Sequence, residues 1–466
     1  MQQLEFDVVT IGGGPGATPG AQFLAQHGKK VAIIEQGEGL GGTCLFEGCI
    51  PSKIYLETAS RLRSLSDDSQ FGIVGGRYDG VDLGKLEARK RQILQTRVNG
   101  AQHACDGLGI SIIHGQADFV DAHHVVVHAD REEDRIVQAQ YIIAAPGSSV
   151  RTLAVPGAES EGIWTSAQAL QLREIPSTMC IIGGGYIGVE LATLYSALGS
   201  RVHVLEMAPR LLMSEDPRIV GHLAQQWAQE AHSITVETGV QITRIEGTSG
   251  QWTVVYDSAG NLARLAVDQV LVAVGRKPNT DGLSWGKAGL ALGPKGEVPV
   301  NAVGQTIVPH IYAPGDVNGQ VMLAHAATRQ SLIAAQHILG FSTLPTEMTV
   351  PHVIFSHPEI AAVGADSRAL VEHTEWRLTE WPYRQDARAL IVGDVGGHAQ
   401  MIWDAATHQI KGLQIIGAGA GELIEEVTYV ITHGQTLESL VETIHPHPTL
   451  NEIVSELAAA ALAPDK

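Results

Sequence analysis

The sequence predicts an α/β fold, because one βαβ pattern occurs twice along the chain of 466 residues and a different, mixed α+β segment follows it. In each copy a short apolar strand leads into a glycine-rich turn, a helical stretch and a second strand that ends at a glutamate. The first glycine and this glutamate are Gly12 and Glu35 in the first copy, and Gly183 and Glu206 in the second. Both separations are 23 residues. The equal spacing argues for two copies of one structural unit.

Both glycine turns have the spacing of a Rossmann-like dinucleotide-binding turn. In such a turn the first glycine permits the tight bend, the second lets the backbone approach a pyrophosphate, and the third small residue allows close helix packing. The N–H groups at the helix start bind the phosphates, and the glutamate accepts hydrogen bonds from a ribose. The predicted contacts are Gly12, Gly14, Ala17 and Glu35 in the first copy, and Gly183, Gly185, Gly188 and Glu206 in the second. No cation directly follows Glu206, which favours NAD over NADP.

The segment past residue 347 predicts a separate α+β domain. It mixes alternating strand-like segments with an amphipathic helix. One face of that helix carries Leu423, Val427, Val430 and Ile431.

Two cysteines lie close together just after the first copy. In a regular helix, Cys44 and Cys49 would be separated by a rise of roughly 7.5 Å, whereas the Cα atoms of a disulfide lie within about 7 Å. A bridge between them therefore requires an irregular turn, which Gly48 allows, and such a bridge suits a working redox couple. The two other cysteines, Cys105 in a predicted helix and Cys180 in a predicted strand, are interpreted as core residues.

The tail of the chain offers a proton acceptor for dithiol chemistry. A base is needed because the thiolate, not the thiol, attacks a disulfide sulfur. The segment from 445 to 452 contains His445, His447 and Glu452, and a carboxylate can orient an imidazole and support its cationic form. The residues alone do not choose His447 over His445.

The segment from Gly41 to Lys53, which includes both cysteines, resembles the redox segment of the pyridine nucleotide-disulfide oxidoreductases. The resemblance covers nearly the entire chain and implies FAD at the first copy, NAD at the second and a C-terminal dimerisation domain. The implied domains are 1–150 (FAD-binding, with the redox disulfide), 151–276 (NAD-binding), 277–346 (a central domain completing the FAD site) and 347–466 (interface). The chain departs from the usual family pattern at Thr18-Pro19, Phe46-Glu47, Pro146 and Ala326-Ala327.

The resemblance also assigns roles to single residues. It adds contacts to FAD from Gly42, Thr43, Lys53, Ala117, Gly147, Asp316 and Ala324, and contacts to NAD from Tyr186 and Gly275. It pairs Lys53 with Glu190 beside the flavin. The implied catalytic residues are Cys44, Cys49, His447, Glu452, Lys53 and Glu190, with His447 supplied by the other subunit of a homodimer.

The reaction that the resemblance implies is oxidation of a dihydrolipoyl group on a carrier protein, with reduction of NAD, through the cysteine pair and FAD. An NADH-dependent reductase of another disulfide is the alternative. A flavoprotein that has lost turnover is a third hypothesis, against which the retained cysteines, histidine and glutamate argue.

Composition and charge argue against several classes of binding partner. The net charge of -19 opposes binding to nucleic acid or anionic lipid. No apolar run approaches the roughly 18 residues of a membrane span, and we predict no metal site. The first seven residues lack the basic start of a signal peptide, so we expect a cytoplasmic protein.

Overall fold

The computed structural model describes residues 2–66, 71–74, 79–129, 133–229, 233–342 and 348–464. The predicted domain boundary at 346–347 lies outside the described residues. Among the described residues, no helix is long and apolar enough to span a membrane.

The described strands are β1 (Gln2–Ile11), β2 (Val31–Glu35), β3 (Ser111–His114), β4 (Gln116–Phe119), β5 (His124–His128), β6 (Arg135–Ala144), β7 (Ser148–Val150), β8 (Thr178–Ile182), β9 (Arg201–Glu206), β10 (Ile234–Thr238), β11 (Val240–Thr248), β12 (Gln251–Ser258), β13 (Asn261–Val267), β14 (Gln269–Val272), β15 (Arg276–Pro278), β16 (Ile311–Tyr312), β17 (His352–Ile354), β18 (Ile360–Gly364), β19 (Trp376–Pro382), β20 (His398–Asp404) and β21 (Ile410–Ile416).

The described α-helices are α1 (Thr18–Gln26), α2 (Gly42–Phe46), α3 (Cys49–Ser66), α4 (Leu83–Gly107), α5 (Ser166–Ala169), α6 (Tyr186–Ala197), α7 (Pro217–Gln229), α8 (Ala324–Ile338), α9 (Ala387–Val392), α10 (Ala420–Thr432), α11 (Leu437–Glu442) and α12 (Glu452–Leu462).

The chain forms two compact units. Unit one comprises Met1–Ser52, Asp82–Arg151 and Gly275–Glu347, and unit two comprises Lys53–Val81, Thr152–Val274 and Met348–Lys466. The predicted division into four domains stays a prediction.

A mixed sheet forms the centre of unit one. In its described part the strand order is β3-β2-β1-β6-β5-β4, and β16 also pairs with β6. Strands β1, β2, β3, β6 and β16 run parallel, whereas β4 and β5 form an antiparallel extension. Adjacent residues of β1 are buried in different apolar clusters, Val8 in one and Val9 in the other, so both faces of the sheet are covered.

The first copy of the repeat is β1-α1-β2, as predicted. Strand β1 includes residues 2–5 before its buried apolar part, because these residues pair with residues 135–138 of β6. Pro19 lies in the first turn of α1, where a missing N–H breaks no helical hydrogen bond. The next backbone N–H, that of Gly20, instead donates to Ser331 Oγ of α8 at 2.9 Å. This contact holds the start of α1 against α8.

Unit two contains the second copy, β8-α6-β9, in a parallel sheet of order β10-β9-β8-β14. Strands β11, β12 and β13 form an antiparallel meander after β10. The last part of the chain forms an antiparallel sheet of order β17-β18-β21-β20-β19, on which α10 and α12 pack. Leu423, Val427 and Val430 of α10 are buried in this core, and Ile431 packs beside them. The predicted α+β segment is confirmed.

Candidate active site

The first glycine of each copy lies at a position that has no room for a side chain. Gly12 has φ +95° and Gly183 has φ +112°. A Cβ would lie 2.4 Å from the carbonyl oxygen of Ala145 at Gly12, and 2.4 Å from that of Ala273 at Gly183. The two turns therefore repeat the same close approach to the neighbouring parallel strand.

The two glutamates are fixed in the same way. Glu35 accepts hydrogen bonds from the N–H groups of Gly13 (2.6 Å) and Gly37 (2.7 Å). Glu206 accepts hydrogen bonds from the N–H groups of Gly184 (2.5 Å) and Ala208 (2.7 Å). Each carboxylate is thus tied to its glycine turn, and each oxygen keeps a second lone pair with which it can accept a ribose hydroxyl.

The redox segment lies against the first glycine turn. The N–H of Gly41 donates to the carbonyl of Gly13 at 2.8 Å. A Cβ on Gly42 would lie 3.0 Å from the Cα of Gly14. Helix α2, which contains Cys44, therefore begins at the first glycine turn.

A third segment of unit one approaches the same turn. A Cβ on Gly315 would lie 3.6 Å from the Cα of Gly16. The next residue, Asp316, accepts a hydrogen bond from Ser148 Oγ at 2.5 Å, and Arg276 Nε donates to the same hydroxyl at 2.7 Å. The predicted FAD residues near the turn, including Gly147 beside Ser148, thus come from four separate parts of unit one.

The other predicted FAD residues are more scattered. Ala117 is buried in β4, in the apolar cluster on one side of the sheet. Ala324 begins α8. The carbonyl of Thr43 accepts the N–H of Glu47 at 2.9 Å and so closes α2. Their roles stay predictions.

The two cysteines lie on different helices, separated by the predicted irregular turn. Helix α2 ends at Phe46 and α3 begins at Cys49. A Cβ on Gly48 would lie 3.6 Å from the Cα of Cys44, so the turn folds back on the first cysteine. Cys49 occupies the first position of α3, where the positive end of the helix dipole favours a thiolate.

Lys53 and Glu190 form the predicted ion pair. Lys53 Nζ lies 2.9 and 2.8 Å from the two carboxylate oxygens of Glu190. One of these oxygens also accepts the N–H of Phe355 at 3.1 Å, and Nζ lies 4.4 Å from the centroid of the Phe355 ring. The glutamate side chain is 12% exposed, so this is not a mobile surface pair.

Glu359, which is not among the predicted site residues, interacts electrostatically with both members of this ion pair. Burial, followed by repulsion from Glu422, raises the pKa of Glu359 to about 7. Its Oε1 accepts the N–H of Gly421 at 3.1 Å. The burial that distinguishes this carboxylate comes from tertiary packing, so no local sequence signal marks its position.

We expect replacement of Glu359 to change the pH dependence of stability. The folded chain binds this proton more tightly than the unfolded chain, whose glutamate titrates near 4.5, so stability decreases as pH rises from about 4.5 to about 7. Glu359→Gln should be more stable than the parent at pH 8, by about 3 kcal/mol, and equal to it below pH 4.5. Urea midpoints at pH 4.5 and pH 8 measure this, with the exposed Glu425→Gln as control. An equal effect at both pH values would contradict the assignment.

The two tail histidines have different environments. His447 Nδ1 lies 3.0 and 3.2 Å from the carboxylate oxygens of Glu452, and the side chain is 72% exposed. His445 Nε2 lies 3.1 and 3.2 Å from those of Glu426, its Nδ1 lies 3.0 Å from the carbonyl of Thr443, and the side chain is 7% exposed. Within the described residues, the hydrogen bonds of His447 leave Nε2 available.

The predicted NAD residues of unit two surround the second glycine turn. Gly188 must be glycine, since a Cβ would lie 1.9 Å from the carbonyl oxygen of Gly183. Gly185 precedes α6, and no other described atom outside its chain neighbours lies within 4 Å of the position that its Cβ would take. The hydroxyl of Tyr186 donates to Glu215 Oε1 at 2.5 Å. Gly275, also predicted for NAD, belongs to unit one and has φ +107°.

Two alanine variants should separate a structural glycine from a binding glycine. Gly183→Ala forces a side chain into a left-handed backbone and against Ala273, and we expect a stability loss of about 1–3 kcal/mol or more. Gly185 has φ −80°, and the position that a Cβ would take there is open. Gly185→Ala should therefore fold normally but bind NADH more weakly. Thermal unfolding and an NADH titration test both variants. Equal destabilisation would show that Gly185 is also structural.

Among the described residues, no group of three or more histidine, cysteine or acidic side chains could hold a metal ion.

Two family models match this chain. The model described as pyridine nucleotide-disulphide oxidoreductase matches residues 6–331. The model described as pyridine nucleotide-disulphide oxidoreductase, dimerisation domain, matches residues 350–458.

Similar proteins and structures cover almost the whole chain. A dihydrolipoyl dehydrogenase of Bacillus subtilis is 36% identical over 448 residues, 96% of each chain, and one of Thermus scotoductus is 35% identical over 98% of this chain and 97% of its own. The HOCl-induced flavoprotein disulfide reductase RclA of Escherichia coli is 28% identical, with a TM-score of 0.87 over 98% of this chain and 99% of its own. The LpdA structure of Mycobacterium tuberculosis shares the fold, with 24% identity and a TM-score of 0.90 over 99% and 100% of the two chains.

Proposed function

Because this chain belongs to the pyridine nucleotide-disulphide oxidoreductase family, an oxidoreductase family that uses FAD and NAD, we propose that it is a dihydrolipoyl dehydrogenase. It oxidises a protein-bound dihydrolipoyl group to the lipoyl disulfide and reduces NAD to NADH. The observation that carries the proposal is the hydrogen bond from Gly41 to Gly13, which attaches the two-cysteine segment to the first dinucleotide turn. The dihydrolipoyl substrate is supported by the relatives that are about 35% identical over nearly their full length.

The residues of the first copy fit FAD. Glu35 has lone pairs for a ribose, the turn that begins at Gly12 carries backbone N–H groups directly before α1, and Asp316 stands beside that turn. Bound FAD supplies a two-electron acceptor for a dithiol. The second copy fits NAD for the same reasons, with Glu206 in the place of Glu35.

The cysteines carry the sulfur chemistry. In the oxidised enzyme Cys44 and Cys49 form a disulfide. A substrate thiolate attacks Cys44, the Cys44–Cys49 bond breaks, and Cys49 leaves as a thiolate, which the start of α3 stabilises. The second substrate thiol then displaces Cys44, so that the lipoyl disulfide forms and both cysteines are reduced. Two electrons have passed from substrate to enzyme.

His447 accepts the proton that a substrate thiol loses when it becomes the attacking thiolate. Glu452 binds Nδ1 and so fixes the tautomer that has its lone pair on Nε2. A homodimer with an active site shared between subunits is part of the proposal, in agreement with the dimerisation model over residues 350–458. The apolar side chain of Ile444, directly before this tail, is 95% exposed and is suited to contact with a second subunit.

The proposal includes the domain division 1–150, 151–276, 277–346 and 347–466. It also includes a cytoplasmic location and a lipoyl-carrying protein domain as the substrate partner.

An NADH-dependent reductase of another disulfide is the second candidate. It is favoured by the 28% identity to RclA, a flavoprotein disulfide reductase, over nearly the whole chain. Both candidates use the same cysteines and differ in substrate and direction.

An anaerobic titration of the purified flavoprotein distinguishes the two. Dihydrolipoamide should produce a long-wavelength charge-transfer band, and addition of NAD should then give NADH. Reduction by NADH with no response to dihydrolipoamide would reject the first candidate and support the second.

A further inference from the structure

The side chain of Tyr186 is held by a buried carboxylate that the sequence analysis did not identify. Its hydroxyl donates to Glu215 Oε1 at 2.5 Å, and Ser214 Oγ lies 3.0 Å from the same hydroxyl. The Glu215 side chain is 2% exposed, although it lies 29 residues from Tyr186 in sequence. The tyrosine at the start of α6 is therefore attached to the loop before α7.

The other oxygen of this carboxylate is bound by a histidine from a different part of unit two. His352 Nε2 lies 2.7 Å from Glu215 Oε2. Because an ionised carboxylate only accepts hydrogen bonds, Nε2 carries the proton and donates it. The imidazole also faces the tyrosine ring, with centroids 6.1 Å apart and planes inclined by 24°. Strand β17 thus supports Tyr186 both through Glu215 and by ring contact.

The negative charge of Glu215 strengthens the hydrogen bonds that hold Tyr186 and His352. Burial acts to raise the pKa of Glu215, but the hydrogen bonds from His352, Tyr186 and Ser214 outweigh burial and hold the pKa below its ordinary value. Hydrogen bonds to a buried ionised carboxylate are short and strong. The tyrosine ring therefore has one preferred orientation.

We propose that Glu215 and His352 are positioning residues that preorganise Tyr186 for NAD. Tyr186 directly follows Gly185 and begins the helix whose N-terminus receives the dinucleotide in a turn of this type. A ring that is already ordered does not lose its freedom when the nucleotide binds, whereas a released ring does. The inference rests on the proposed function for the identity of the nucleotide.

The test measures NADH binding directly, by calorimetry on the FAD-loaded protein. We expect His352→Leu and Tyr186→Phe each to raise the Kd for NADH by about three- to tenfold. The Kd of the double variant for NADH should be no higher than that of the single variant with the higher Kd, because both substitutions break the same chain of contacts. His352→Gln, whose amide can donate to Glu215, should restore most of the affinity. His373→Leu, on the same compact unit, is the matched control.

An unchanged Kd in Tyr186→Phe, or additive losses in the double variant, would overturn the inference. If His352→Leu does not fold, Tyr186→Phe and His352→Gln still decide the question, since both leave Glu215 paired. Failure of the proposed function has a different signature, because the parent protein would then bind NADH but not respond to dihydrolipoamide.

Discussion

Replacement of Cys49 by serine should abolish oxidation of dihydrolipoamide, with a loss of about 10³-fold or more in kcat. Serine occupies the same first position of α3, but its hydroxyl is neither a disulfide partner nor a leaving group at neutral pH. The turn at Gly48 and the bond from Gly41 to Gly13 do not involve this side chain, so FAD should stay bound. Steady-state NADH formation and the visible flavin spectrum measure the two results.

Two controls separate loss of chemistry from loss of structure. NADH-dependent reduction of an artificial dye needs no thiol, and it should be retained in Cys49→Ser. Cys105→Ala removes a buried cysteine of α4 and should leave dihydrolipoamide oxidation within about twofold of the parent. Turnover above about a tenth of the parent value in Cys49→Ser would reject the cysteine pair as the redox couple.

The repeated βαβ copies could be predicted from sequence because their determinants are local. Gly12 and Gly183 are needed where the backbone has positive φ, and each glutamate binds its turn from a distance of 22 residues. The break between α2 and α3 was predictable for a similar reason, since it follows from the spacing of two cysteines and one glycine. These features are short-range in the chain, and the structure confirms them.

Contacts between distant segments could not be predicted in this way. His352 and Glu215 are 137 residues apart, and neither belongs to a pattern with a fixed spacing. Ser331 is 311 residues from Gly20, which it binds in place of a helical partner. The raised pKa of Glu359 depends on burial, which no single residue type determines. Such features follow from tertiary packing, so the sequence contains no local signal for their pairing.

The choice between the two tail histidines is where the structure adds most to the candidate site. Both ring nitrogens of His445 face acceptors, the carboxylate of Glu426 and the carbonyl of Thr443, so neither is free to accept a proton from a substrate. His447 has one nitrogen bound to Glu452 and is exposed, which is the arrangement of a general base supported by a carboxylate.

His447→Gln should therefore lower kcat for dihydrolipoamide oxidation by about 10²- to 10⁴-fold, the usual contribution of a positioned general base. His445→Gln should keep kcat within about threefold of the parent, because this residue contributes packing and hydrogen bonds with Glu426 and Thr443. Rapid-mixing measurement of flavin reduction by dihydrolipoamide isolates the half-reaction in which the proton is accepted. The loss in His447→Gln should diminish as pH rises toward the pKa of the substrate thiol, since a thiol that is already ionised needs no base. A loss that is independent of pH, or a larger loss in His445→Gln, would mean that His447 does not accept the proton.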